Sequence, residues 1–338
     1  MELFKGQKVA DIPFGSVVEV SGTDLMKPAF TKLSAANILS APVYDEAEKK
    51  YLGFFDLSDA LTMIFTLDMI VSVIPDEWID KSNAAKMAKE NDTDSLKVGD
   101  IFENNESSQD EIFEKRAPFL PCTEDSSMEV VIRTLAKNAR RVPVMNKDGR
   151  IRKIISQSLV TQLLNDALLE KEKAGVAIPA IFSKSISTIK ECAPKEVISV
   201  DTSDTTREAF LKILENNISA CAILDEDGKL LSSISTKDIR LFKSMEEVIQ
   251  QRIDQVDGKP SLMELPCTEF VQKIREAYET KGQSHAAAVV VTPDTTLRAL
   301  IGKLAATKMH RVFVVDKERT PLGVVSVSDI ARILVSES

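Results

Sequence analysis

Near the end of the 338-residue chain, the run Ser326-Val327-Ser328-Asp329 places two hydroxyls and a carboxylate where an apolar strand gives way to a helix. A helix start offers unpaired N–H groups and the positive end of the helix dipole, which suit phosphate. Ser326 and Ser328 can add hydroxyl donors. Asp329 can accept from the vicinal hydroxyls of a ribose. His310-Arg311 opens the second strand of the same unit and supplies a cation. An arginine forks onto phosphate through two charge-assisted bonds. Together these groups fit a nucleoside monophosphate and do not fit an apolar ligand. Taken singly, each has a plainer explanation, since Ser and Asp cap helices and a His-Arg pair is ordinary surface charge. What favours binding is that sibling sets recur. Ser235-Thr236-Lys237-Asp238 follows Ser219, Asp56-Leu57-Ser58-Asp59 lies near the start, and Ser156-Gln157-Ser158-Leu159 follows Arg140-Arg141.

The elements that must position these sets repeat with them. Each unit starts with a short apolar strand, an Asp and an amphipathic helix. Two further strands and the polar signature follow. From Asp24 to Asp45, Asp125 to Asn146, Asp204 to Asp225 and Asp294 to Asp316 the intervals are 21, 21, 21 and 22 residues. Unrelated loops do not keep such spacing. Each unit reads as β-α-β-β-α, so the fold class is mixed α+β or α/β, with four repeats arranged as two paired modules. Leu297, Leu300, Ile301 and Leu304 lie at helical spacing in the fourth unit. The Asp before each first helix is expected to cap it. Asp148-Gly149 and Asp227-Gly228 are hairpin turns. A unit of about 55 residues buries too little surface to stand alone. Pairing the first with the second, and the third with the fourth, supplies the missing core. The expected boundaries are 12–70, 113–168, 180–245 and 255–337. Residues 71–112 form an acidic linker whose centre is expected to be a mobile loop.

Composition narrows the class. The chain is 43% hydrophobic, which supports real cores, and its net charge of −9 argues against a nucleic-acid surface. Two His leave little room for a His-rich metal site, and none is expected. The four Cys are widely spaced without a CxxC pair, as in a reducing compartment. The start Met1-Glu2-Leu3-Phe4-Lys5-Gly6 has no apolar signal core, and the longest apolar stretch, Leu61 to Ile74, is too short to span a bilayer. The expectation is a cytoplasmic protein, with the nucleus as a second location, and no membrane or nucleic-acid partner.

On these motifs the chain resembles proteins built of cystathionine-β-synthase-type (CBS) domains, and its four units together resemble the γ regulatory subunit of AMP-activated/SNF1-type kinases. The resemblance runs from about Phe14 to Leu334, apart from the acidic stretch. It implies two Bateman modules, each a pair of CBS repeats. It further implies AMP, ADP or ATP as regulatory ligands and kinase α and β subunits as partners. Asp59, Asp238 and Asp329 carry over as ribose ligands. Ser326, Ser328, His310, Arg311 and Ser219 carry over as phosphate-side groups, with Ser235, Arg140 and Arg141 in the corresponding places of the third and second units. Leu159 matches the loss of the Asp in the second γ repeat. The departures are Leu39 where the first γ repeat carries Arg, Arg140-Arg141 where the second carries His-Arg, and Asp56 in place of a hydroxyl.

Two functions stand beside each other. One is an adenine-nucleotide-sensing subunit that controls an AMP-activated/SNF1-like kinase. The other is a stand-alone four-repeat scaffold or regulator of another protein, such as a phosphatase or a transporter, outside any kinase. An enzyme is not expected. Ser326, His310 and Asp329 supply triad residue types, but Ser326 and Asp329 share one helix start and no oxyanion loop accompanies them. There is no Walker loop.

Overall fold

The structure, a computed structural model, describes residues 1–13, 15–72, 97–103, 118–137, 139–242, 261–280 and 288–336. Each of the four units builds one three-stranded sheet. The first unit runs β1 (Val20–Ser21), α1 (Met26–Ala35), β2 (Ser40–Asp45), β3 (Lys50–Asp56) and α2 (Leu57–Ser72). A short helix α3 (Asp100–Glu103) precedes the second unit, which comprises β4 (Cys122–Thr123), α4 (Met128–Ala136), β5 (Arg141–Met145), β6 (Ile151–Ser156) and α5 (Gln157–Lys173). The third has β7 (Ser199–Asp201), α6 (Thr206–Glu215), β8 (Ala220–Leu224) and β9 (Leu230–Ser235), and its signature forms a 3-10 segment, Thr236–Leu241. Helix α7 (Cys267–Glu279) leads to the fourth unit, which comprises β10 (Val290–Val291), α8 (Leu297–Thr307), β11 (Arg311–Val315), β12 (Pro321–Ser326) and α9 (Val327–Ser336).

In every sheet the first strand pairs parallel to the second and the second antiparallel to the third. The hairpin register shifts at one place in each unit: Val43/Tyr44, Val144/Met145, Ile223/Leu224 and Val314/Val315. The two expected Asp-Gly turns are present, with Gly149 and Gly228 at φ of 74° and 73°, a backbone conformation that glycine adopts without a Cβ clash.

The first helices are capped differently from the expectation. Asp24 Oδ2 accepts from the Ser21 N–H at 3.0 Å and Asp204 Oδ2 from the Asp201 N–H at 2.8 Å, so these carboxylates close the turn that leaves the strand. In the fourth unit Asp294 accepts from the Thr292 hydroxyl, and the Thr292 N–H donates to the Thr295 hydroxyl at 3.1 Å. The caps are Ser127, Thr205 and Thr296, one or two residues later, which accept from the Val130, Glu208 and Ala299 N–H groups. The Asp lies one or two residues before the N-cap position.

Two kinds of contact join the units. Sheets join the first to the second and the third to the fourth. Tyr51 stacks on Phe119 with centroids 5.9 Å apart, and the Ile151 N–H donates to the Tyr51 hydroxyl at 3.1 Å. Ala222 and Leu230 pack with Phe313 and Val315. The larger apolar cores run the other way. One core joins the first unit to the third through Phe30, Leu61, Phe210 and Phe270, and the other joins the second to the fourth through Leu135, Leu164, Leu300 and Ile330. Each fully buried side chain of this size contributes about 1.5–3 kcal/mol. The pairing expected from chain order is therefore only half of the packing. The helices add a second pairing that closes a ring of four units.

Leader segments are exchanged within the sheet-joined pairs. Residues 97–103 run along the first unit, with Gly99 N–H donating to Gly22 O at 2.8 Å. A Cβ on Gly99 would lie 2.8 Å from that carbonyl oxygen, so only glycine permits the approach. The Val9 N–H donates to Ser126 O in the second unit, Ile186 to Thr295 O in the fourth, and Cys267 to Asp204 O in the third. Val98 and Ile101, from the stretch read as an acidic linker, are buried against the first unit. The centre of that stretch lies outside the described residues. No helix among the described residues is long and apolar enough to cross a membrane.

Candidate functional site

The ring of units encloses a cavity of about 960 Å3, and every unit contributes to its wall. Seven Lys or Arg side chains line it against four carboxylates, in a chain whose net charge is −9. The cations converge from three units: Arg140, Arg141 and Lys153 from the second, Lys195 and Lys237 from the third, Arg311 and Arg332 from the fourth. The start of the second strand in each unit points its residues inward, which is why Arg140-Arg141 and His310-Arg311 meet there.

The crowding shows in the proton affinities. Burial pushes the His310 imidazole down to about 3, and Lys237, Arg311, Arg141 and Arg140 add to the effect. The shift favours the neutral imidazole. Burial also lowers Arg311, to about 10, with Arg140 contributing and Asp238 opposing. Arg141 and Lys237 are lowered in the same direction, mainly by burial. Partly buried like charges destabilise one another unless an anion meets them.

The signature carboxylates sit at its edge and begin as caps. Asp238 Oδ2 accepts from the Ser235 N–H at 2.6 Å and the Ser235 hydroxyl at 2.8 Å. Asp329 Oδ2 accepts from the Ser326 N–H at 2.8 Å and the Ser326 hydroxyl at 2.7 Å. In the second unit, where Leu159 replaces the Asp, the Ser156 hydroxyl itself accepts from the Leu159 N–H at 3.1 Å. The serine is thus a donor to the carboxylate where Asp is present and the cap where it is absent. Asp329 Oδ1 is engaged as well, by Lys195 Nζ at 2.7 Å and Arg332 Nη1 at 2.9 Å. Ser328 donates to Gln157 Oε1 at 2.8 Å, and Arg311 donates to the Ser219 hydroxyl.

Asp329, Ser326, Ser328, His310, Arg311, Ser219, Asp238, Ser235, Arg141 and Arg140 all line the one cavity. Asp59 is not among its lining residues. Its Oδ2 accepts from the Asp56 N–H at 2.8 Å, and Asp56 and Ser58 form the wall instead. Asp56 in turn accepts from the Ser58 N–H at 2.8 Å and lies in the field of Arg141, so its charge is met from both sides. Leu39 and Ile38 make that wall apolar where a γ-type repeat would carry a cation. Reading the sequence did not single out Lys153, Lys195, Lys237, Arg332 or Gln157. Arg332, one turn from Asp329, and Lys237 and Gln157, inside the signatures, were legible; Lys195 and Lys153 were not, because their partners lie over a hundred residues away.

The family model of the CBS domain matches residues 111–165, 189–244 and 285–336. These three segments are CBS domains. The first unit of the chain falls outside those matches but repeats the strand order and bulge of the other CBS domains. In sequence the chain is similar to the SNF1-related protein kinase regulatory subunit gamma-1-like of Arabidopsis thaliana, 31% identical over 228 residues that cover 65% of this chain and 47% of that protein. It is also similar to Protein SDS23 of Kluyveromyces lactis, 23% identical over 96% of this chain and 62% of that protein. The chain thus spans about half to three-fifths of the length of these curated relatives. In fold it is similar to protein MJ1225 of Methanocaldococcus jannaschii, whose description proposes an archaeal homologue of γ-AMPK. The TM-score is 0.65, with 15% identity and 99% of each chain covered. The four CBS repeats, paired as modules, share that architecture.

Proposed function

We propose that this CBS protein is a regulatory subunit in which AMP, ADP and ATP compete for the central cavity, and that occupancy controls an AMP-activated/SNF1-like kinase. The observation that carries this reading is the convergence of Arg140, Arg141, Lys237, His310 and Arg311 on one cavity, with Asp238 and Asp329 at its edge. The cations suit a phosphate chain and the carboxylates suit ribose hydroxyls. The three nucleotides share the ribose and differ in charge, so each would favour a different balance of the cationic wall. Similarity to a kinase γ-type subunit supports the choice of partner. Any control of the kinase must be reciprocal, with the kinase changing nucleotide affinity by the same factor.

The test is titration of the purified protein with AMP, ADP and ATP by calorimetry, beside Asp329→Ala and Asp238→Ala. Micromolar binding that weakens in a carboxylate variant supports the reading, and absence of binding by all three nucleotides overturns it.

A second reading is a regulator that works outside a kinase, since a relative that aligns over most of this chain is not described as a kinase subunit. Alignment to Protein SDS23 extends over 96% of the chain, against 65% for the kinase subunit. Affinity purification from native lysate separates the two. Recovery of kinase α and β subunits supports the first reading, and recovery of a phosphatase or transporter without them supports the second.

A further inference from the structure

The two acidic signatures differ in what holds their carboxylates. Asp329 is only 3% exposed, and both of its oxygens are engaged. Oδ2 belongs to the cap. Oδ1 is the oxygen that a ribose would need, and Lys195 Nζ and Arg332 Nη1 are on it. Arg332 comes from the same helix, one turn on. Lys195 comes from the segment leading into the third CBS repeat, packed closely against β12: a Cβ on Gly323 would lie 3.3 Å from the Lys195 backbone nitrogen, a tight contact. The backbone of Lys195 is therefore placed, while its side chain is 47% exposed and lines the cavity.

A buried carboxylate cannot lose its donors without replacement. A lysine, with a compact charge on a flexible stem, can exchange one anion for another at small cost. A phosphate-free nucleoside would have to displace the Lys195 ammonium and offer it nothing. A nucleotide would replace it on Oδ1 with ribose hydroxyls and give it a phosphate chain.

We propose that Lys195 is the specificity-determining residue of the fourth-repeat site, holding Asp329 closed to nucleosides and releasing it to ligands that carry phosphate. This rests on the nucleotide-binding reading above. The test is calorimetric titration of wild type, Lys195→Ala and Lys195→Arg with adenosine, AMP and ATP. In Lys195→Ala, adenosine binding tightens and ATP binding weakens, so the ratio of ATP to adenosine affinity falls by about ten- to hundredfold. Lys195→Arg, which keeps the charge, restores most of the ratio. Melting temperatures of the variants establish that they fold. If wild type binds none of the three, the nucleotide reading itself fails and the proposal falls with it. If wild type binds but Lys195→Ala changes adenosine and ATP equally, or neither, the role of Lys195 alone is overturned.

Discussion

Ser328 of the fourth CBS repeat donates its hydroxyl to Gln157 Oε1 of the second, at 2.8 Å, so the signatures of two repeats are hydrogen-bonded to each other across the helical core. Gln157 is buried, and its amide donates to Leu135 O at 2.9 Å and Ala139 O at 3.3 Å. The bond makes the start of α9 part of the second repeat's structure, so a ligand that drew Ser328 away would be felt there.

Replacing Gln157 with Leu keeps the volume but removes the amide from Leu135 O, Ala139 O and Ser328. Each buried acceptor left unpaired costs about 1–3 kcal/mol. Gln157→Leu is expected to destabilise the protein by an amount of that order, read as a lower urea midpoint at unchanged m-value.

His310 predicts a pH dependence. Its proton affinity is about 3 in the folded protein, against 6.5 for the ordinary side chain. Between those values the unfolded chain binds a proton that the folded protein does not, so folding stability is lost as pH falls from 6.5 towards 3. His310→Gln is expected to flatten that part of the stability profile, measured by denaturant unfolding at half-unit pH steps. An equal slope in the variant would assign the loss to other groups.

Arg311 is set among Arg140, Asp238 and Ser219. Arg311→Ala removes one bidentate phosphate donor and relieves repulsion on its neighbours. The expected outcome is ATP binding weaker by about ten- to hundredfold, since charge-assisted bonds are worth about 1.5–3 kcal/mol. The apo protein is expected to keep its melting temperature or gain slightly.

Lys153 is buried at 3% exposure and donates to Val9 O and Ile12 O, both at 2.6 Å. Lys153→Met keeps the stem and removes the donor. The leader that crosses to the second repeat then loses its anchor, and amide hydrogen exchange at Val9 and Ile12 is expected to accelerate before that of β5.

Stability of the ring as a whole should depend on the cross-repeat cores. Leu164 is fully buried between the second and fourth repeats. Leu164→Ala is expected to cost about 2–5 kcal/mol by leaving a cavity. Calorimetric unfolding checks whether both repeats melt together.

The chain alone determined the four repeats, their strand order, the hairpin turns and the signature residues, because each of these follows from local periodicity or from residues a fixed interval apart. Ser326, Asp329, His310 and Arg311 could be read as one set because β11 and β12 are hairpin neighbours. Even the cap roles of Asp238 and Asp329 follow from three-residue spacing. Tertiary structure decided the rest. It chose which helices share a core, joining the first repeat to the third and the second to the fourth. It moved Asp59 out of the cavity wall and met the charge of Asp56 with Arg141. It set Lys195 on Asp329 across 134 residues, a contact that no spacing rule reaches. Burial at the ring's centre, rather than residue type, turned His310 from an ordinary imidazole into one that stays neutral among arginines.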